Sequence, residues 1–382
     1  MAFGLLTERK TMNGTGMEPH GGNIYRASKK YGIAAGNILD FSSNINPLGI
    51  PEELKRLLAT GIDNLIHYPD PASTGLRKNI SRYLKVSPER IITGNGASEI
   101  IFLLFAILKP KRLLLCGPTF TEYEKAALAA GATVDYFPLE ETADFKLDID
   151  GLISRINQFD CVLVCNPNNP TSGLIDRDGI SRILDKTKES GTTVIIDEAF
   201  IELTASGNLN SAVDLSAQYQ QLFIIRAFTK IFAVPGLRLG YGLGEPELIS
   251  RMWDNKLPWS VNLFADCVGE YLSQAGPFLA STSQWLRAEK EWLYRQLGKI
   301  AGVKPFPPET DFMLVKLLFQ DFNAAGLKES LARQGILIRD ASNFRTLNDK
   351  FFRLAVKKRE DNIRLITVLQ ETLNRIKNDT PA

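Results

Sequence analysis

Leu222-Phe223-Ile224-Ile225-Arg226-Ala227-Phe228-Thr229-Lys230 is an apolar run that ends in a lysine. Its first five residues have the length and β-branched content of a buried strand. Working outward, further strand candidates are Ile91-Thr93, Leu113-Cys116, Thr133-Phe137, Cys161-Cys165 and Thr193-Asp197. Helical stretches fall between several of them, such as Tyr123-Ala130 and Arg177-Ser190. Strand and helix taking turns predict an α/β protein, with a mostly parallel sheet sandwiched by helices. After about residue 265 the pattern changes. Ala275-Gly276-Pro277 is expected to break the chain, and a long helix near Leu279-Ile300 follows. Short strands near Asp311-Leu317 and Gly335-Arg339, with a last helix near Glu360-Ile376, predict a smaller α+β domain. The expected division is an N-terminal segment 1–46 joining the small domain, a large domain 47–265, and a small C-terminal domain 266–382.

The ends of these strands carry the chemistry, because open α/β sheets bind ligands beyond their carboxyl edge. A lysine just past a buried strand is well placed to lose its proton, and only the neutral amine attacks a carbonyl. Arg238, eight positions after Lys230, offers a rigid fork for a phosphate. Together they point to an aldehyde cofactor carrying a phosphate, pyridoxal 5′-phosphate. Asp197 closes its strand where a carboxylate can pair with a pyridinium nitrogen. Asn166-Pro167-Asn168-Asn169-Pro170-Thr171 is a stiff turn with amides free to hydrogen-bond. Gly94-Asn95-Gly96-Ala97-Ser98 joins a strand to a helix near Glu99-Leu108, whose free N–H groups favour a phosphate. Each feature alone has a plainer reading: a surface lysine, a capping aspartate, a connecting turn. Their order along one chain outweighs those readings.

Asn169-Pro170-Thr171, Asp197-Glu198-Ala199-Phe200, Thr229-Lys230 and Gly236-Leu237-Arg238-Leu239-Gly240 resemble, in kind, order and spacing, the fold-type I family of pyridoxal phosphate enzymes, in its histidinol-phosphate aminotransferase-like branch. Within that branch the N-terminal half is most similar to the threonine-phosphate decarboxylases of cobalamin biosynthesis. The stretches that carry this are His20-Gly21-Gly22-Asn23-Ile24-Tyr25, Asp40 to Gly49, His67-Tyr68-Pro69-Asp70-Pro71 and Ile338-Arg339-Asp340. The resemblance implies that Lys230 holds the cofactor, Asp197 its ring nitrogen and Asn169 its 3′-oxygen. Phe120 would stack on the ring. Ala97, Ser98 and Arg238 would hold the cofactor phosphate, Gly96 and Thr229 would also bind the cofactor, and Tyr68 would reach the phosphate from the neighbouring subunit of a homodimer with shared sites. Arg353 would bind the substrate carboxylate, with Asn169 beside it, and His20, Asn44 and Arg339 would lie near the substrate phosphate. The implied reaction is decarboxylation of threonine phosphate to 1-aminopropan-2-ol phosphate. The alternatives are the same reaction on serine phosphate, or transamination of histidinol phosphate.

Three positions depart from the branch. Phe200 replaces the tyrosine whose hydroxyl reaches the 3′-oxygen in most aminotransferases of this kind, which fits a decarboxylase better. Ala227 stands where a hydroxyl residue often helps hold the cofactor phosphate. Ser172 interrupts the usual Asn-Pro-Thr-Gly, placing Gly173 one position late.

Composition fits this reading. The chain has 382 residues, 44% hydrophobic and 23% charged, with a net charge of +2, so nothing points to nucleic acid or a membrane surface. The four cysteines show no metal spacing, and Cys161 and Cys165 read as small buried strand residues of a reducing, cytoplasmic compartment. Two histidines make a His-based metal site an unlikely design, and no metal is expected. The first ten residues are too soon charged for a signal peptide, and the longest apolar run, Ile100-Leu108, is half a membrane span. Trp285 and Trp292 lie at helical spacing and read as packing residues.

Overall fold

The computed structural model describes residues 21–379. Seven strands form the large sheet, in the spatial order Ile91–Asn95, Leu239–Leu243, Leu222–Ala227, Thr193–Asp197, Cys161–Cys165, Arg112–Gly117 and Thr133–Pro138. Leu239–Leu243 runs antiparallel to both its neighbours, and the other pairings are parallel. The six expected strands are present, with ends shifted by two residues or fewer.

Alternation along each central strand builds two cores. Val162, Val164, Val194, Ile196 and Ile224 face one side, where they pack with Ile180, Ile183 and Leu184 of helix Arg177–Thr187. Cys161, Leu163, Ile195, Phe223 and Ile225 face the other, against Ile100, Ile101, Leu104 and Phe105 of helix Gly96–Leu108. The period of two sends neighbouring residues to opposite faces. Both faces are covered, so these strands read as continuous apolar runs. A fully buried aliphatic side chain contributes about 1.5–3 kcal/mol relative to an exposed one, which makes the sheet a rigid base for its loops.

The seventh strand, Leu239–Leu243, was not among the expected ones. Leu-Gly-Tyr-Gly-Leu reads locally as a flexible turn, and tertiary contact overrides that reading. A side chain at Gly240 would collide with the backbone of Gly96 and Ala97, and one at Gly242 with the Phe223 ring. Here glycine permits close approach rather than a bend.

A second, antiparallel sheet has the order Arg339–Asp340, Phe351–Ala355, Phe312–Leu317, Val303–Pro305. Helices Gly276–Leu297 and Arg359–Asp379 share its core through Leu293, Leu297, Leu365, Leu369 and Leu373, and Trp285 and Trp292 pack against the same cluster. Gly276-Pro277 begins the first of these helices rather than breaking the chain, since proline is tolerated where its missing N–H has no helical partner. Leu39–Asp40 pairs in parallel with Ile336–Leu337, tying the N-terminal part of the described chain to this region. Among the described residues, no helix is long and apolar enough to cross a membrane.

Candidate active site

The parallel strands end on one edge of the large sheet, and the loops that follow line a cavity of about 420 Å³. Lys230 lies on the short helix Phe228–Ile231, directly after strand Leu222–Ala227, with its side chain in that cavity. Burial pushes its amine pKa down to about 8. Asp311 opposes the shift, whereas Arg353, Arg238 and Lys357 add to it. A minor fraction of neutral amine is therefore present at neutral pH, far more than an ordinary lysine offers, as a nucleophile requires.

Asp197 ends the adjacent strand and is buried. Its carboxylate accepts a hydrogen bond from the Tyr123 hydroxyl at 2.7 Å and from the Ala199 N–H at 2.9 Å. Burial raises its pKa to about 6 despite those two bonds. Such a carboxylate gains from a cationic partner.

The loop at 166–173 is stiff because its side-chain amides are bonded within it and to the segments beside it. Asn166 exchanges two side-chain bonds with the Ile175 backbone, at 2.7 and 3.1 Å. Asn168 donates to the Pro118 carbonyl and the Thr171 hydroxyl, both at 2.8 Å, and accepts from the Thr119 hydroxyl at 3.0 Å. The sequence reading left all these amides free. The structure engages two of the three internally, and of the three only Asn169 lines the cavity. Its side-chain oxygen accepts from Arg353 Nη1.

Gly96, Ala97 and Ser98 form the first turn of helix Gly96–Leu108 and line the cavity with Thr229 and Arg238. The helix therefore starts three residues earlier than expected. Gly96 has φ +77°, and a side chain there would come within 2.5 Å of the Arg238 guanidinium. The positive φ favours glycine here, and its missing side chain lets the guanidinium sit close to the turn. Helix-terminal N–H groups beside a guanidinium form an anion cup. Ala227 also lines it and brings no hydroxyl.

At the other end, Arg339 and Arg353 are direct partners across neighbouring strands, and both are buried. Like charges placed opposite each other repel. Burial, followed by Arg339, lowers the Arg353 pKa to about 9, with Asp311 and Asp40 pulling the other way. Arg353 also donates to the Ser42 carbonyl at 2.8 Å, while its Nε has no partner. Arg339 donates to Asn343 at 2.6 Å and lies over the Phe344 ring. Asn44 lines the same end, buried, with its side-chain oxygen unpartnered.

The remaining residues singled out from sequence fall in three places. Phe120 lines the cavity and meets Tyr123 edge-on at 5.5 Å. Tyr68 is exposed, meets Trp259 in a tilted pair at 5.1 Å, and does not line the cavity of its own chain. His20 lies outside the described residues. Phe200 is buried against Phe312 at 5.0 Å.

Sequence reasoning missed Tyr123, Asp311 and Lys357. Tyr123 sits in a helix that reads as packing, and its hydroxyl reveals a role only against Asp197. Asp311 is fully buried, with burial raising its pKa to about 6 and Lys357 and Lys230 pulling it back. An acid opening an apolar strand, Thr310-Asp311-Phe312-Met313, was the signal available for it.

The donor set fits pyridoxal 5′-phosphate: a depressed lysine, a buried carboxylate for a ring nitrogen, an asparagine, and an anion cup at a helix terminus. Fold and site thus define a pyridoxal phosphate enzyme, and the chain belongs to the aminotransferase class I and II family, whose pattern it matches over residues 34–369. Within that family it is 41% identical over 359 residues to a protein of Caldanaerobacter subterraneus subsp. tengcongensis provisionally named threonine-phosphate decarboxylase, covering 94% of this chain and 95% of the relative. It is 33% identical to the threonine-phosphate decarboxylase of Salmonella typhimurium, over 94% of this chain and 97% of that one. Among solved structures it is similar to the histidinol-phosphate aminotransferase of Clostridium acetobutylicum, with a TM-score of 0.82, 36% identity, and coverage of 88% of this chain and 100% of that one.

Proposed function

We propose that this protein decarboxylates L-threonine O-3-phosphate to (R)-1-aminopropan-2-ol O-2-phosphate, a component of the cobalamin nucleotide loop. The observation that carries the reading is the buried Arg339–Arg353 pair facing the cavity. A substrate with both a carboxylate and a phosphate relieves that repulsion. The relatives named threonine-phosphate decarboxylase support the choice of substrate.

Pyridoxal phosphate supplies an electron sink for the bond broken at Cα. The protein's own groups do the rest. Asp197, held by Tyr123, would keep a negative charge beside the ring nitrogen. Ala97, Ser98 and Arg238 would hold the cofactor phosphate, with Gly96 and Thr229 beside them on the cavity wall, and Asn169 would hold the ring oxygen. Arg353 takes the substrate carboxylate, and Arg339 with Asn44 its phosphate. Which bond at Cα breaks depends on how these two anions are clamped. After carbon dioxide leaves, Lys230 Nζ delivers a proton to Cα. The Phe200 ring leaves the 3′-oxygen without a tyrosine hydroxyl.

The site is shared in a homodimer. Exposed Ile62, Leu65, Ile66, Tyr68, Leu257 and Trp259 supply apolar surface for a two-fold contact that brings Tyr68 to the partner's cofactor phosphate. The domain division read from the sequence stands as part of this proposal: a segment 1–46 joined to a small domain 266–382, beside a large cofactor-binding domain 47–265. Four free cysteines fit a cytoplasmic setting.

Incubation with threonine phosphate and serine phosphate, following carbon dioxide and keto acid separately, tests the reading. Carbon dioxide release with no keto acid is the expected result. Transamination of histidinol phosphate with 2-oxoglutarate, and no carbon dioxide, would assign the aminotransferase reaction that the Clostridium structure represents.

A further inference from the structure

Ser172 occupies the left-handed region, with φ +66°, and is fully buried. Glycine adopts this conformation at little cost, and a serine there needs a compensating interaction. Its Oγ accepts hydrogen bonds from the backbone N–H groups of Glu309 and Thr310, each at 2.9 Å. Its own N–H donates to the Asn168 carbonyl at 2.7 Å, so the hydroxyl projects from a loop that is already locked. Glu309 and Thr310 lead directly into strand Phe312–Leu317, which pairs with the strand carrying Arg353, Leu314 opposite Arg353.

The loop at 166–173 therefore touches the C-terminal sheet twice. Asn169 bonds Arg353 itself, and Ser172 bonds the segment that enters the neighbouring strand. One contact alone leaves a pivot, whereas two separated contacts fix an orientation. Removing the hydroxyl strips two N–H groups of their acceptor, one of them on the fully buried Thr310.

We infer that Ser172 is a positioning residue for Arg353: its hydroxyl pins the C-terminal sheet to the loop bearing Asn169 and so sets where Arg353 holds a substrate carboxylate. The inference rests on the proposed function only for the identity of the substrate.

The test compares Ser172→Gly and Ser172→Ala with wild type as cofactor-loaded enzymes. Glycine removes both the hydroxyl and the backbone cost, and alanine removes the hydroxyl alone. Hydrogen exchange at the Glu309 and Thr310 amides should quicken in both variants. KM for the amino substrate that wild type turns over should rise roughly tenfold in both, with kcat changed less and the cofactor absorbance unaltered. Unchanged exchange, or unchanged KM with only a lowered Tm, overturns the inference. So does a glycine variant that matches wild type, because backbone conformation would then be the function of the position. Failure of the substrate assignment shows separately, as absence of carbon dioxide from wild type with either phosphoamino acid, and the exchange and KM comparisons still decide the role of Ser172.

Discussion

Arg226 and Arg353 are both buried arginines on strands, and the protein treats them in opposite ways. Arg226 donates to Glu202 at 2.6 Å and Asn208 at 2.5 Å, with Glu198 at 3.8 Å. Burial alone would lower its pKa, but Glu202, Tyr241 and Glu198 outweigh burial and hold it above the ordinary value. Arg353 has two neutral acceptors, Asn169 and the Ser42 carbonyl, and an arginine directly across the ladder. Its pKa is pushed down to about 9. A buried charge that serves structure is compensated inside the protein. A buried charge left under-compensated beside a cavity is set to receive an anion from outside.

Breaking the compensated cluster should have the largest effect. Arg226→Ala leaves Glu198 and Glu202 buried without their cation, at a cost of about 3–5 kcal/mol in stability. Chemical denaturation of the cofactor-free protein should record that loss. A variant within 1 kcal/mol of wild type would erase the contrast between the two arginines.

Arg353→Ala should act on catalysis instead. We expect kcat/KM for threonine phosphate to fall by about 2–5 kcal/mol, or ~30- to 5000-fold. The stability of the cofactor-free protein should hold or increase. The sign follows from its pKa: a base depressed from 12.5 to about 9 binds its proton less tightly when folded. The stability it costs is fully present below pH 9 and is regained as pH rises above that value. Destabilisation by Arg353→Ala at pH 7 would contradict this assignment.

Asp197 sharpens the same idea with the opposite charge. Its pKa of about 6 in the cofactor-free protein means that lowering the pH through 6 protonates the group that should meet the ring nitrogen. Cofactor affinity should therefore weaken by up to about tenfold per pH unit below 6. The part due to Asp197 should vanish in Asp197→Asn, measured by absorbance titration.

Asp311→Asn should have the smallest effect. Asp311 raises the pKa of Lys230, so removing its charge should move the lysine below about 8, by no more than about one unit. The pH dependence of cofactor uptake would shift downward by that amount. No shift would show that Asp311 is already protonated in the working site.

Much of the fold was legible locally. Cys161–Cys165 and Thr193–Asp197 were readable to the residue, because strands buried on both faces are short, continuous apolar runs. Lys230, Asp197, Asn169 and Arg238 announced themselves because each is a polar residue at or just beyond such a run or a glycine turn. Tyr123, Asp311 and the second contact made by Ser172 did not. Their partners lie 74 residues away for Tyr123 and 137 or 138 for Ser172.

By itself, then, the sequence determined the strand–helix alternation and the types and order of the candidate cofactor-binding residues, since these depend on local periodicity and on chemistry intrinsic to a side chain. Only the tertiary structure decided that Leu239–Leu243 is a strand, that Arg339 faces Arg353, and which buried charges are compensated. Those properties depend on burial and on partners distant in the chain, and both come into being only when the sheets close around them.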